Sequence, residues 1–178
     1  MKIKMLTVTL FAAIFLVACN GENANEESSA NVGEPEDIKE LVQNYSVRNL
    51  EAKSASITSE QIVVTENDGK EVIYELPKDE FFVSIAPFIN QTHPCEIHSL
   101  TSCQGELVNE QFDVYIEDSN GNVVLDETLQ TQVNGFIDLW LPRDQTYNIT
   151  IEHEGKKAES KFSTFKNDGT CITTMQLI

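Results

Sequence analysis

The sequence predicts a mainly β protein: an antiparallel β-sandwich with a small N-terminal helix-plus-hairpin unit. Three observations predict it. From Phe81 onward the chain is a succession of short apolar or alternating runs, cut by Ser119-Asn120-Gly121, Asn134-Gly135, Pro142-Arg143-Asp144, Glu154-Gly155 and Asp168-Gly169. Short strands spaced by such turn signals indicate a sandwich. Ahead of them Ile38, Leu41, Val42 and Tyr45 follow the spacing of one amphipathic helix. Two β-rich runs, Gln61 to Thr65 and Glu71 to Leu76, flank Asp68-Gly69, a hairpin signal.

In chain order, residues 1–18 read as a secretory signal peptide. Lys2 and Lys4 precede an apolar run, Met5 to Val17, too short to span a bilayer. Residues 19–34 hold almost no apolar side chains and read as a disordered tether. Residues 35–77 form the N-terminal unit. Pro35 suits a first helical turn, with Glu36 and Asp37 at the positive end of the dipole and the helix running to about Val47. A helix and a hairpin are too small to fold alone, so the unit is either fused to the downstream strands or completed by dimerisation.

Residues 78–178 form the sandwich. Phe81 to Phe88 is apolar on both faces, as suits a strand buried on both sides or wedged against the N-terminal unit. Phe112, Val114 and Ile116 alternate with polar positions, as do Tyr147, Ile149 and Ile151. Cys171 to Ile178 is the expected last strand, and Trp140 reads as core.

Charge narrows the partners. Twelve basic against 29 acidic residues give a net charge of −17, and loss of Lys2 and Lys4 makes it more negative. Such a surface repels phosphate backbones, so no nucleic acid is expected as a partner. No nucleophile elbow, zinc-protease motif, phosphate loop or adjacent Cys-x-x-Cys pair is present, so the chain does not read as a conventional enzyme.

Chemistry concentrates in Thr92 to Gly105, which holds Cys95, Cys103, His93 and His98 and reads as an ordered loop rather than a helix or strand. Cys95 and His98 are three apart, Cys103 lies five beyond, and Cys171 must arrive from the last strand. Thiolates with an imidazole make a soft, low-coordination site that favours copper(I); Cys3His is also a structural zinc set, so spacing leaves both metals open. His93 and Met175 are second-rank donors. His93 precedes Pro94, and Met175 shares a strand face with Cys171 by period two, though beside Leu177 it reads more simply as core. Three cysteines remain beyond Cys19, an odd number for an oxidising compartment. A metal, a redox cycle or a capping partner accounts for that. So does a structural disulfide, Cys95–Cys103 or Cys103–Cys171, with one inert thiol, which would make the chain a tethered interaction module.

Three resemblances add to this. Leu16-Val17-Ala18-Cys19 resembles the lipobox of bacterial lipoproteins, which implies cleavage before Cys19, lipidation of its thiol, and attachment by that anchor to a membrane on the periplasmic or extracellular side. Gly121 to Phe162, with Asn134-Gly-Phe-Ile-Asp-Leu-Trp-Leu-Pro142 and Tyr147-Asn-Ile-Thr-Ile151, resembles the prealbumin-like sandwich. Over residues 36–178 four segments resemble the CueP-type copper-binding proteins of the bacterial periplasm. They are Phe81 to Phe88, His93-Pro-Cys-x-x-His-Ser-Leu-Thr-x-Cys-Gln-Gly-Glu-Leu107, Gly135 to Arg143 and Thr170 to Leu177. The resemblance implies that Cys95, Cys103 and Cys171 bind copper and reduce copper(II) to copper(I). It also implies dimerisation through the N-terminal part and delivery of copper to an extracytoplasmic superoxide dismutase.

Overall fold

A computed structural model describes residues 31–32 and 37–178. The signal peptide, Cys19 with its lipobox, and Pro35 lie outside the described residues. Within the segment expected to be a tether, Asn31–Val32 form a two-residue strand, β1.

Helix α1 spans Ile38–Ser46, starting later than Pro35 suggests. Asp37 is the reason. Its backbone is extended (φ −144°) and its carboxylate accepts the N–H of Lys39 (2.8 Å) and Glu40 (3.2 Å), so Asp37 caps the helix rather than entering it. Strands β2 (Ser54–Ile57), β3 (Gln61–Thr65) and β4 (Glu71–Glu75) follow, with β3 and β4 joined by the expected turn at Gly69 (φ +90°). They belong to a five-stranded sheet ordered β1-β4-β3-β2-β6. Its last member, β6 (His98–Ser99), comes from the middle of the cysteine loop and pairs antiparallel with β2. The loop is therefore not wholly irregular, contrary to the expectation from its composition: it is pinned at its centre as an edge strand.

The second sheet, ordered β12-β5-β9, contains β5 (Glu80–Ile85), β9 (Ile137–Pro142) and β12 (Cys171–Ile172). The third, ordered β11-β10-β7-β8, contains β7 (Gln111–Asp118), β8 (Val123–Gln130), β10 (Thr146–His153) and β11 (Lys156–Ser163). Phe81, Val83 and Ile85 of β5 and Leu139 and Leu141 of β9 pack against Phe112, Val114, Ile116, Tyr147, Ile149 and Ile151, forming the sandwich core. The other face of the same sheet is also covered. Phe82, with Trp140 beside it, packs against Val42 and Tyr45 of α1, Ala55 and Ile57 of β2, and Leu100. That is why β5 is apolar on both faces: it is the middle layer of three. The N-terminal unit is fused to the sandwich through this shared layer.

Two strands depart from antiparallel pairing: β1 runs parallel to β4, and β12 parallel to β5. The expected last strand, Cys171 to Ile178, is also much shorter. Ala86 N–H donates to Ile172 O (2.9 Å), but the next rung is Phe88 N–H to Met175 O (3.0 Å). Between these rungs Thr173–Thr174 bulge past Pro87. The extra residue shifts the register by one. Among the described residues no helix is long and apolar enough to cross a membrane.

Candidate metal centre

Two segments build the site, the loop Thr92 to Gly105 and strand β12. Before Cys95, the Glu106 carboxylate accepts the N–H of Ile89 (2.6 Å) and of Asn90 (2.9 Å). After Cys103, Gly105 N–H donates to Asn134 O (2.7 Å), and a Cβ on Gly105 would lie 2.4 Å from Gly135 O. Only glycine allows that approach. Gly169 does the same for the other segment, since its Cβ would fall 2.7 Å from Glu96 O. The close contact lets Cys171 N–H donate to Glu96 O (3.2 Å) and lays β12 against the loop.

The result brings three free thiols together from positions up to 76 apart. The Sγ atoms of Cys95, Cys103 and Cys171 all lie within 4.8 Å of one another, with Cys95 and Cys103 3.5 Å apart. Cys103 and Cys171 are buried against Ala86 and Phe136, and Cys95 is half-buried, on the side open to solvent. Three polarisable sulfurs at this spacing can close around one soft cation.

The thiols are not equivalent. Cys103 accepts a hydrogen bond from the Cys171 thiol and another from Ser99 N–H (3.3 Å); with the nearby His98 imidazole these outweigh its burial and pull its pKa down to about 3. Cys171 is pushed up well beyond the ordinary thiol range, because it donates to Cys103 and is buried beside two sulfurs. Burial also raises Cys95. One thiolate is thus held ready at Cys103, with two protons still to be displaced by a metal.

His98 is fully buried and sits outside the mutual sulfur cluster but directly behind it. Its Nδ1 lies 3.7 Å from Cys171 Sγ, and its ring packs on Phe136 with centroids 4.6 Å apart. Its backbone N–H donates to Thr170 Oγ1 (3.0 Å), tying the residue before Cys171 to the loop. The two second-rank donors lie elsewhere. His93 is half-buried and belongs to no cluster of potential ligands among the described residues. Met175 is fully buried in the sandwich core. Period two failed there because the bulge opposite Pro87 turns Met175 onto the opposite face from Cys171.

Sequence reasoning missed three residues around the site. Arg48 adopts φ +65°, unfavourable for a side chain with a Cβ, and its guanidinium donates to Thr101 O and to Cys103 O (3.4 Å). Ser84 and Asp138 face each other across β5 and β9, and Ser84 Oγ donates to Asp138 Oδ1 (2.6 Å). A signal for this pair was present: each is a lone polar residue inside an apolar strand run, where an unpartnered polar group is costly.

The comparisons with known proteins agree with this geometry. The family described as "Periplasmic copper-binding protein CueP" matches residues 36–176. Among solved structures, the crystal structure of S.CueP is 33% identical, with a TM-score of 0.75 over 80% of this chain and 89% of that one. No curated protein matches the chain.

Proposed function

The chain belongs to the CueP family of periplasmic copper-binding proteins, and from that premise we propose that it captures copper outside the cytoplasm, holding it as copper(I) between Cys95, Cys103 and Cys171. The observation that carries this reading is the convergence of three free thiols from two chain segments to within 4.8 Å. A trigonal sulfur set suits copper(I), whereas zinc requires four closed ligands. The fourth candidate, His98, sits behind Cys171 and completes the site only by moving toward the ion.

The same thiols can reduce what they capture. Closure of two thiolates to a disulfide releases two electrons, which convert two copper(II) ions to two copper(I) ions, and the thiol protons leave to solvent. Cys95 and Cys103 are the adjacent pair for that step, at 3.5 Å. The third thiolate, Cys171, then remains with His98 to retain a reduced ion. Lipidation at Cys19 would keep the protein tethered to the membrane surface, from which it hands copper to an extracytoplasmic enzyme such as a superoxide dismutase.

A zinc reading has one observation in its favour, the Cys3His composition of the site. Titration of the reduced protein with copper(I) against a competing chelator, with zinc in parallel, separates the two. Tight stoichiometric copper(I) uptake and weak zinc binding are expected, and each single Cys→Ser variant at 95, 103 or 171 should weaken copper(I) binding sharply. Tight zinc with weak copper would make the site structural. Binding of neither would leave a disulfide-stapled interaction module, and three variants that bind as the parent does would overturn the site assignment.

A further inference from the structure

Behind the thiols a line of polar side chains runs through the apolar layer between the two units, and it has no use in simple sulfur coordination. Ser84, fully buried, places its Oγ 3.4 Å from His98 Nε2 and 2.6 Å from Asp138 Oδ1. The other carboxylate oxygen, Asp138 Oδ2, accepts Ser46 Oγ–H (2.6 Å) from the end of α1 and Gln132 Nε2–H (3.2 Å). Gln132 makes that contact while its own Oε1 is buried without a partner among the described residues. The carboxylate, not the amide, sets the pattern.

Donor and acceptor valence then decides the state of His98. A serine hydroxyl carries one hydrogen, and a carboxylate oxygen only accepts. With its hydrogen committed to Asp138, Ser84 offers His98 a lone pair, so Nε2 must carry the ring hydrogen. The opposite nitrogen, Nδ1, is left bare and faces Cys171 Sγ at 3.7 Å. We infer that Asp138, acting through Ser84, is a positioning residue that fixes His98 in the Nε2–H tautomer and so presents a bare Nδ1 to the sulfur cluster. The tautomer is set by the metal-free geometry alone; its consequence for copper rests on the proposed copper-binding function. A bare nitrogen there offers a lone pair to the ion in the loaded protein. A ring with hydrogen on Nδ1 does not. Partners one bond removed from a ligating histidine commonly set its tautomer in this way.

The test is the tautomer itself, read from the ring-nitrogen shifts of His98 by NMR in the reduced, metal-free protein. The parent should show hydrogen on Nε2. In Asp138→Asn the amide NH2 donates to Ser84, whose hydroxyl turns its hydrogen to Nε2, so Nδ1–H should become the major form. Ser84→Ala removes the acceptor and should abolish the preference; it decides the matter if Asp138→Asn does not fold. Copper(I) affinity, measured separately, should fall about 10- to 100-fold in either variant. A parent ring with hydrogen on Nδ1, or a folded variant that keeps the parent tautomer, overturns the assignment of Asp138. A changed tautomer with unchanged copper(I) affinity overturns its role toward the metal. If the parent binds no copper(I), the functional proposal fails while the tautomer result still judges the positioning claim.

Discussion

Cys103 and Cys171 carry the same side chain in opposite states, and their neighbours make the difference. Cys103 only accepts hydrogen bonds, which favours its thiolate; Cys171 donates to Cys103 and is buried, which favours its thiol. The reduced, metal-free protein should therefore keep a thiolate absorbance down to about pH 3 that disappears in Cys103→Ser. The consequences for stability have opposite signs on the two sides of the ordinary thiol pKa, about 8.5. Cys103 is depressed in the fold, so its contribution is complete above that value and is lost as pH falls through its folded pKa. Cys171 and Cys95 are raised, so theirs is present below about 8.5 and declines as pH rises beyond it. Denaturant midpoints measured from neutral to alkaline pH should fall above that point, and less steeply in Cys171→Ser. An equally steep decline in that variant would contradict the assignment.

At the scale of elements, the site depends on backbone approaches that side chains would block. Glycine at 169 lets β12 touch the loop at Glu96, and glycine at 105 lets the loop touch the turn at Gly135. Gly169→Ala should cost about 1–3 kcal/mol, as overpacking does, because the opposing atom is backbone and cannot rotate away. It should also displace Cys171, weakening copper(I) binding beyond what the loss of stability explains. A variant with parental melting temperature and affinity would show that the contact is not required. A bulge has a comparable effect on β12: Thr173–Thr174 interrupt the ladder after Ile172, and Met175 turns into the core. Helix α1 reaches the site at its C-terminal end, where Ser46 holds Asp138 and Arg48 holds the carbonyl of Cys103.

For the molecule as a whole, the middle sheet β12-β5-β9 is shared by both hydrophobic layers, so the N-terminal unit and the sandwich cannot open independently without exposing Phe82 and Trp140. Thermal or denaturant unfolding should be one transition, coincident by tryptophan fluorescence at Trp140 and by far-ultraviolet circular dichroism. Phe82→Ala should lower stability by about 3–5 kcal/mol, the range for emptying a buried phenylalanine site. Two separated transitions would mean the layers are independent. The site lies where these layers meet, with β6 belonging to one sheet and β12 to another. Its geometry is thus tied to the integrity of the whole fold.

The sequence by itself determined the periodic and the local features. Alternation in Phe112 to Ile116 and Tyr147 to Ile151, the Asp68-Gly69 hairpin, the doubly apolar Phe81 run and the clustering of Cys95, His98 and Cys103 are all readable because each is set by neighbours a few residues away. Only the tertiary structure decided what lies across space. It brought Cys171 to the loop, sent Met175 to the core, left His93 aside, and joined Ser84 to Asp138 behind His98. Sheet pairing and register make such meetings, and a single extra residue in a strand can reverse the face a side chain takes.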